Sequence, residues 1–326
     1  MSSHESDSAR VVVAALIGNL LIAVSKFVAA FFSGSVATLA EAVHSVADTL
    51  NQVLLMVGLR RAARPPTQLH PFGHAVESYF WPFLVSIMLF LLGAAFAIGE
   101  GTHDLFELAA GRDPEGGHGS RLWSYGVLGT SFAFESYSFA VASGEFRKLR
   151  AGRTVWQTLL HAKDPTIPVV LMEDAAALLG LGIALVAVGL SDLTGWSGWD
   201  AAGSLLIGLL LGVVAFVLSR RTHSLLLGEA ASPEDRARVV EVARSVPRVL
   251  DVTQLLSMHL GPKHVLLALK VAFERELTVE DVERVTDQLE QAIRAALPHM
   301  RYIFVEPDGD YVAAHDPDRP RPIPGA

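Results

Sequence analysis

Glu41, His44, Asp48 and Asn51 recur at helical spacing inside an apolar run long enough to cross a bilayer. One helical turn separates His44 from Asp48, so an imidazole and a carboxylate project from the same face and can close on one small divalent cation. Charges at that depth are costly, and ionisable residues inside a membrane usually mark an ion or proton pathway. Glu173 and Asp174 form a second acidic pair in a later apolar run. Helix neighbours point about 100° apart, so only one of the two can face His44 and Asp48 squarely. The alanines and glycines after Asp174 let helices approach closely. Glu135 sits near mid-depth of another run, with Ser131 and Ser138 on or near its face. It reads equally as a metal or proton group and as a carboxyl hydrogen-bonded between helices. His70 and His74 flank Pro71-Phe72-Gly73 in a loop. The two imidazoles can grip a metal if the segment starts a helix, or stand solvated on a loop packed by Phe72. Lys26 reads as a snorkelling cation, and Asn19 as a helix-to-helix hydrogen-bonding group.

These residues need helices that span lipid, and the composition supplies them. Of 326 residues, 51% are hydrophobic and the mean hydropathy is +0.38, too apolar for an ordinary soluble chain of this size. Six runs, near 11–32, 36–58, 78–100, 122–145, 167–189 and 198–219, are long enough for about 30 Å of hydrocarbon. Arg60, Arg61 and Arg64 follow the second run; Arg147, Lys148, Arg150, Arg153 and Lys163 lie between the fourth and fifth; Arg220 and Arg221 follow the sixth. The positive-inside rule makes these segments, and both termini, cytoplasmic. The formal net charge of −8 and the absence of one broad basic patch exclude nucleic acid as a partner. With no cysteine there is neither a disulfide nor a thiolate metal site, so any metal is held by His, Asp, Glu, amide or backbone groups. Residues 1–10 are polar, of mixed charge and expected to be disordered. They do not form a signal-peptide n-region, which favours a bacterial inner or plasma membrane.

From about Glu229 the pattern becomes acidic and water-soluble, marking a second domain over 229–307 after the membrane domain of 11–222. Ser232-Pro233-Glu234-Asp235 is a helix start, with Ser232 as N-cap and Pro233 at the first helical position. Val249–Met258 and Val265–Glu274 read as strands around Gly261-Pro262-Lys263, Thr278–Leu297 as a helix, and Tyr302–Glu306 as a last strand. The order α-β-β-α-β fits two helices on one face of a three-stranded sheet. A proline-rich tail, 308–326, is expected to be disordered.

Taken together, Gly34-Ser35-x-Ala37-x-Leu39-Ala40-Glu41-Ala42-x-His44-Ser45-x-x-Asp48, His70-Pro71-Phe72-Gly73-His74, Glu173-Asp174 and Met258-His259-Leu260-Gly261-Pro262 resemble the cation diffusion facilitator family over nearly the whole chain. The resemblance implies a polytopic α-helical membrane protein with six transmembrane helices, a cytoplasmic ferredoxin-like domain and a homodimer. It also implies export of a divalent cation in exchange for protons, with no cofactor and zinc as transported substrate. His44 and Asp48 match two ligands, a pattern similar to the zinc-transporting branches, and Asp174 matches a third. Val170 stands where a fourth ligand is usual, so Glu173, Glu135 or water would complete the shell; Glu173-Asp174 resembles the branch that includes mitochondrial-type zinc transporters. His70 and His74 match a secondary site whose acidic member is replaced by Thr67. In the C-terminal domain, Thr253, Leu269 and Val305 fall at or near the usual histidine positions, implying a dimerisation module without a strong metal site. Manganese, iron(II) and cobalt are alternative cargoes. A membrane-embedded metalloenzyme with Glu135 as base is another reading, although no His-Glu-x-x-His occurs; a protein that binds metal without moving it is a third.

Overall fold

The structure, a computed structural model, describes residues 3–33, 36–112, 121–150 and 152–309; for some of these, among them 36–41, 43, 44, 47 and 121–124, it describes the backbone only. The chain divides into two units, 1–226 and 227–326.

The first unit is helical. Its elements are α1 (Ser3–Ser33), α2 (Val36–Ala62), α3 (Glu77–Met88), a π-helical turn (Leu89–Ala94), α4 (Ala95–Ala109), α5 (Arg121–Arg150), the short α6 (Val155–His161), α7 (Thr166–Thr194) and α8 (Gly198–Leu227). Among the described residues, four stretches are long and apolar enough to cross a membrane: Asp7–Phe31, Glu77–Ala109, Thr166–Thr194 and Gly198–Leu227. The chain is therefore a multi-pass membrane protein. The helices α2 and α5 are the more polar rods, which is what a wall carrying Asp48, Asn51, Gln52 and Glu135 requires.

Lipid inverts the usual rule of burial. Leu179, Val186, Leu209, Val213 and Phe216 lie on the outer surface, whereas Ser131, Ser138, Glu173 and Asp174 are buried. An inner apolar cluster that includes Val11, Leu55, Val85, Phe146, Ile167, Val170 and Leu218 ties the rods together. Backbones come closest where α4 meets α8: a Cβ on Gly101 would stand 2.8 Å from the Ala201 carbonyl oxygen, and one on Gly208 would stand 2.8 Å from the Ile98 nitrogen. Glycine is required at these contacts. Behind Asp174, by contrast, Gly180 leaves ordinary van der Waals room. Further along α7 a Cβ on Gly203 of α8 would stand 2.7 Å from Ala187 Cβ, so the small-residue stretch after Asp174 packs closely at its later end.

Two boundaries differ from expectation. Residues 3–10 are helical, not disordered: Ser8 Oγ donates to Asp164 Oδ2 at 2.9 Å, Arg10 stands 3.5 Å from the buried Glu145, and Val11 and Val12 enter the core. These contacts give the first two turns of α1 a reason to order. At the other end, Asp308 is not free tail, because its N–H donates to the Val271 carbonyl and its carboxylate receives Lys270 Nζ at 2.9 Å. Residues 310–326 lie outside the described residues, as do Gly34 and Ser35 of the first motif.

The second unit runs α9 (Pro233–Ser245), β1 (Val249–Gly261), β2 (His264–Phe273), α10 (Val279–Ala296) and β3 (Met300–Pro307). This is the α-β-β-α-β order expected from the sequence. The sheet order is β1-β2-β3, antiparallel between β1 and β2 and parallel between β2 and β3, with α10 as the crossover. Ser232 Oγ accepts from the Asp235 N–H at 3.0 Å and starts α9. Strand β2 alternates strictly: Val265, Leu267, Leu269 and Val271 are buried with Val239, Leu289 and Ile293 of the helices. The opposite sheet face remains apolar and uncovered within the unit. Leu256 pairs with Ala268, Met258 with Leu266, and Phe304 with Ala268, and Leu256, Met258 and Phe304 are exposed.

Candidate functional site

The helices of the first unit surround a cavity of about 280 Å³, and its polar wall is built from four of them. Asn19 and Lys26 come from α1, Ser45, Asp48 and Asn51 from α2, Ser131 and Glu135 from α5, and Glu173 and Asp174 from α7. Leu89, Leu92 and Gly93 of the π-helical turn, with Ile207 and Leu211 of α8, close the apolar side. A π-turn displaces the side chains after it from regular α spacing, and such turns recur beside functional cavities.

Asp48, Glu135, Glu173 and Asp174, singled out separately along the sequence, thus share one wall. Adjacent positions on α7 give the two acids different partners. Asp174 accepts from Ser138 Oγ of α5 at 2.6 Å. Glu173 accepts from Asn51 Nδ2 at 3.1 Å and Gln52 Nε2 at 2.9 Å, both on α2. Burial away from water strengthens these bonds relative to the same bonds at a wet surface. The 100° between neighbours therefore turns Glu173 toward α2 and Asp174 toward α5, yet both line the cavity. Gln52 was not singled out from the sequence; its signal is an amide four residues after Asp48 in an apolar helix.

Two buried oxygens on this wall, Asn51 Oδ1 and Ser131 Oγ, have no hydrogen-bond partner in the protein, although their residues are only 4% and 3% exposed. Leaving such groups unsatisfied costs about 1–3 kcal/mol each. Carboxylate, amide and hydroxyl oxygens directed at one cavity form a hard donor set suited to a divalent cation with several of its waters. Among the described residues, no three His, Asp or Glu side chains stand close enough to hold one ion together. The side chain of His44 lies outside the described residues; its backbone is in α2, one turn before Asp48. Val170 is fully buried in the apolar core, so the position that carries a ligand in the resembled family serves packing here.

The loop histidines are neighbours, with ring centroids 4.6 Å apart. His70 is exposed, and the Nδ1 of His74 is buried without a protein partner. Thr67 holds the turn instead of supplying an acid: its Oγ1 accepts from the His70 N–H at 3.1 Å, and its own N–H donates to the His70 carbonyl. In the second unit, His259 is buried with Nδ1 3.3 Å from the Gly261 carbonyl, His299 Nε2 stands 3.1 Å from Asp235 Oδ2, and His264 Nε2 is 3.4 Å from Arg301. Each of these imidazoles has its own local neighbour.

Comparison with known proteins places both units. Residues 12–227 match the model of a cation efflux transmembrane domain, and residues 231–309 that of a cation efflux protein cytoplasmic domain. The chain is 33% identical to the mitochondrial proton-coupled zinc antiporter SLC30A9 of Xenopus laevis over 86% of its own length and 51% of that protein. It is 32% identical to metal tolerance protein C4 of Arabidopsis thaliana over 89% of its length and 62% of the relative. To the cation-efflux pump FieF of Escherichia coli it is 25% identical over 89% of both chains. The chain spans about half the length of the antiporters it matches.

Proposed function

Because the chain belongs to the cation efflux family, we propose that it is a secondary transporter that moves a divalent metal cation, zinc first, out of the cytoplasm in exchange for protons. The observation that carries this reading is the convergence of Asp48, Glu135, Glu173 and Asp174 on one cavity, beside the unpartnered Asn51 and Ser131 oxygens. His44 joins Asp48 and Asp174 as ligand, and Glu173, Glu135 or water supplies the remaining contact. Protons and metal compete for the same lone pairs: a neutral imidazole or ionised carboxylate binds the cation, and its protonated form releases it. A pH difference across the membrane thereby drives exchange as the helices alternate the cavity between its two sides.

The same reading takes α1, α2, the α3–α4 rod, α5, α7 and α8 as six spans with both termini cytoplasmic, in a bacterial plasma membrane. The arginines after α2 and the cations between α5 and α7 support that orientation. The C-terminal unit is a ferredoxin-like dimerisation module, and a second copy of the chain is the occupant that its uncovered face of Leu256, Met258 and Phe304 suits. Sedimentation of the segment 227–309 in chelator is expected to give a dimer. A monomer that pairs only on adding zinc would assign His259, His264 or His299 to an intersubunit site.

Uptake of zinc into proteoliposomes, with and without an imposed pH gradient, tests the transport reading. Gradient-dependent uptake is the expected result. Binding without movement would make the protein a metal holder, and preference for manganese, iron(II) or cobalt would change the cargo but not the mechanism.

A further inference from the structure

We infer that Lys26 is a tethered counter-cation of the cavity, which loosens the hold of the carboxylates on a divalent cargo and so speeds its release. The inference rests on the transport reading of that cavity. From sequence alone Lys26 is a snorkelling cation, but the structure gives it another place: it is half-buried on α1 and lines the same cavity as Asp48, Glu135, Glu173 and Asp174. It stands in a stretch, Asp7–Phe31, apolar enough to cross a membrane, where a charged side chain without a polar destination is costly.

The charges that face it come from every polar helix around the cavity. Asp48 stands on α2, Glu135 on α5, and Glu173 and Asp174 on α7, while the described lining residues of the π-helical turn and α8 are apolar. Four carboxylates in one water-poor cavity form a deep well for a dication, and a well that is too deep stops turnover. Conduction requires binding favourable enough to load and weak enough to unload. An ammonium held in the same cavity raises the energy of the bound dication through like-charge repulsion, which is larger where the dielectric is low. When the metal leaves, the same ammonium offsets part of the negative charge left behind. A lysine suits this role because its flexible stem lets the charge approach or retreat as the cargo enters.

Zinc affinity of the purified full-length protein, measured by titration calorimetry in detergent, and zinc uptake kinetics in proteoliposomes test this for wild type, Lys26→Met and Lys26→Arg. Removing the charge is expected to tighten the zinc Kd about tenfold and to lower KM and Vmax together, since release then limits turnover. Lys26→Arg, which keeps the charge, is expected to stay near wild type in all three. A merely structural lysine gives the opposite pattern, with Kd and KM unchanged or raised as Vmax falls, and that result overturns the inference. Lys26→Gln carries the same test if the methionine variant does not fold. Failure of the wild type to bind any of zinc, manganese, iron(II) or cobalt would overturn the transport reading, and the inference with it.

Discussion

The two units of this chain bury opposite kinds of residue. In the membrane unit, Glu173, Asp174, Asn51, Gln52 and Ser138 are inside and bonded to one another across helices, while Leu179, Val213 and Phe216 face outward. In the C-terminal unit, Val239, Leu267, Leu289 and Ile293 are inside, and Asp281, Arg284, Arg244 and Asp251 pair on the surface. Solvent explains both patterns. Water holds charged groups outside a soluble core, whereas lipid offers them no partner, so the only place they persist is a cavity built from one another. Polar side chains are therefore placed at the water surface in one unit and against one another in the interior of the other. Substitutions of similar chemical size should then have very different consequences in the two units.

The sharpest test removes charge without removing volume. Asp48→Asn and Asp174→Asn are each expected to lower zinc uptake by about two orders of magnitude or more, since outer partners of a metal site alone are worth about 10–100-fold. Circular dichroism should show the helices intact. Uptake near wild type in both would break the comparison by making these carboxylates packing groups. One step out from the cavity, Gln52→Leu removes the 2.9 Å bond that aims Glu173 and should weaken zinc affinity by about 10–100-fold with folding preserved. Unchanged affinity would leave Asp174 as the only acid of α7 that matters. Smaller again is the loop pair: His70→Ala with His74→Ala should slow uptake only a few-fold, because Thr67 supplies a turn and not a third ligand. Complete loss would make that loop a primary site.

Much of this arrangement was legible in the sequence because both units obey simple periodic rules. Alternation along Val265–Val271, the Ser232 cap and the turn at Gly261-Pro262-Lys263 were enough to order the second unit. Each of the six apolar runs falls on helix in the first unit, and among the described residues four of those stretches are long and apolar enough to cross a membrane. What a linear pattern does not carry is the rotation of each helix about its axis. Lys26 therefore read as a residue reaching for the interface when it lines the cavity, and Gln52 escaped notice until Glu173 was seen to accept from it. Helix pairing was equally hidden. The small residues after Asp174 pointed to close packing, which occurs where Ala187 meets Gly203, but nothing in the pattern pointed to the backbone contacts at Gly101 and Gly208 between α4 and α8. The first turns of α1 were misjudged for the same reason: their order comes from Asp164 and Glu145, more than 130 residues away along the chain.

The smallest expected effect belongs to the soluble unit and sharpens the contrast from its other side. Thr278 caps α10: its Oγ1 accepts from the Asp281 N–H at 3.2 Å and donates to Asp281 Oδ2 at 2.8 Å, while Asp281 Oδ2 also accepts from the Thr278 N–H at 3.2 Å. Thr278→Ala removes the capping side chain and should cost about 1 kcal/mol, or about 4–8 °C in the Tm of a unit this size, leaving zinc uptake unchanged. The loss should depend on pH in a defined direction. Hydrogen bonds from the Thr278 side chain and backbone, with the charges of Arg284 and Arg248, hold the Asp281 carboxyl below its ordinary range. A carboxylate favoured in the folded state stabilises above its unfolded pKa of about 4, and that stabilisation is lost as pH falls through the folded value. Thermal melts of the segment 227–309 should therefore show the wild type and Thr278→Ala separated at neutral pH and converging as the acid limb is reached. A constant separation down to the lowest pH would assign the cap's contribution to the hydroxyl alone, and loss of zinc uptake in the variant would show that the units are coupled through α10.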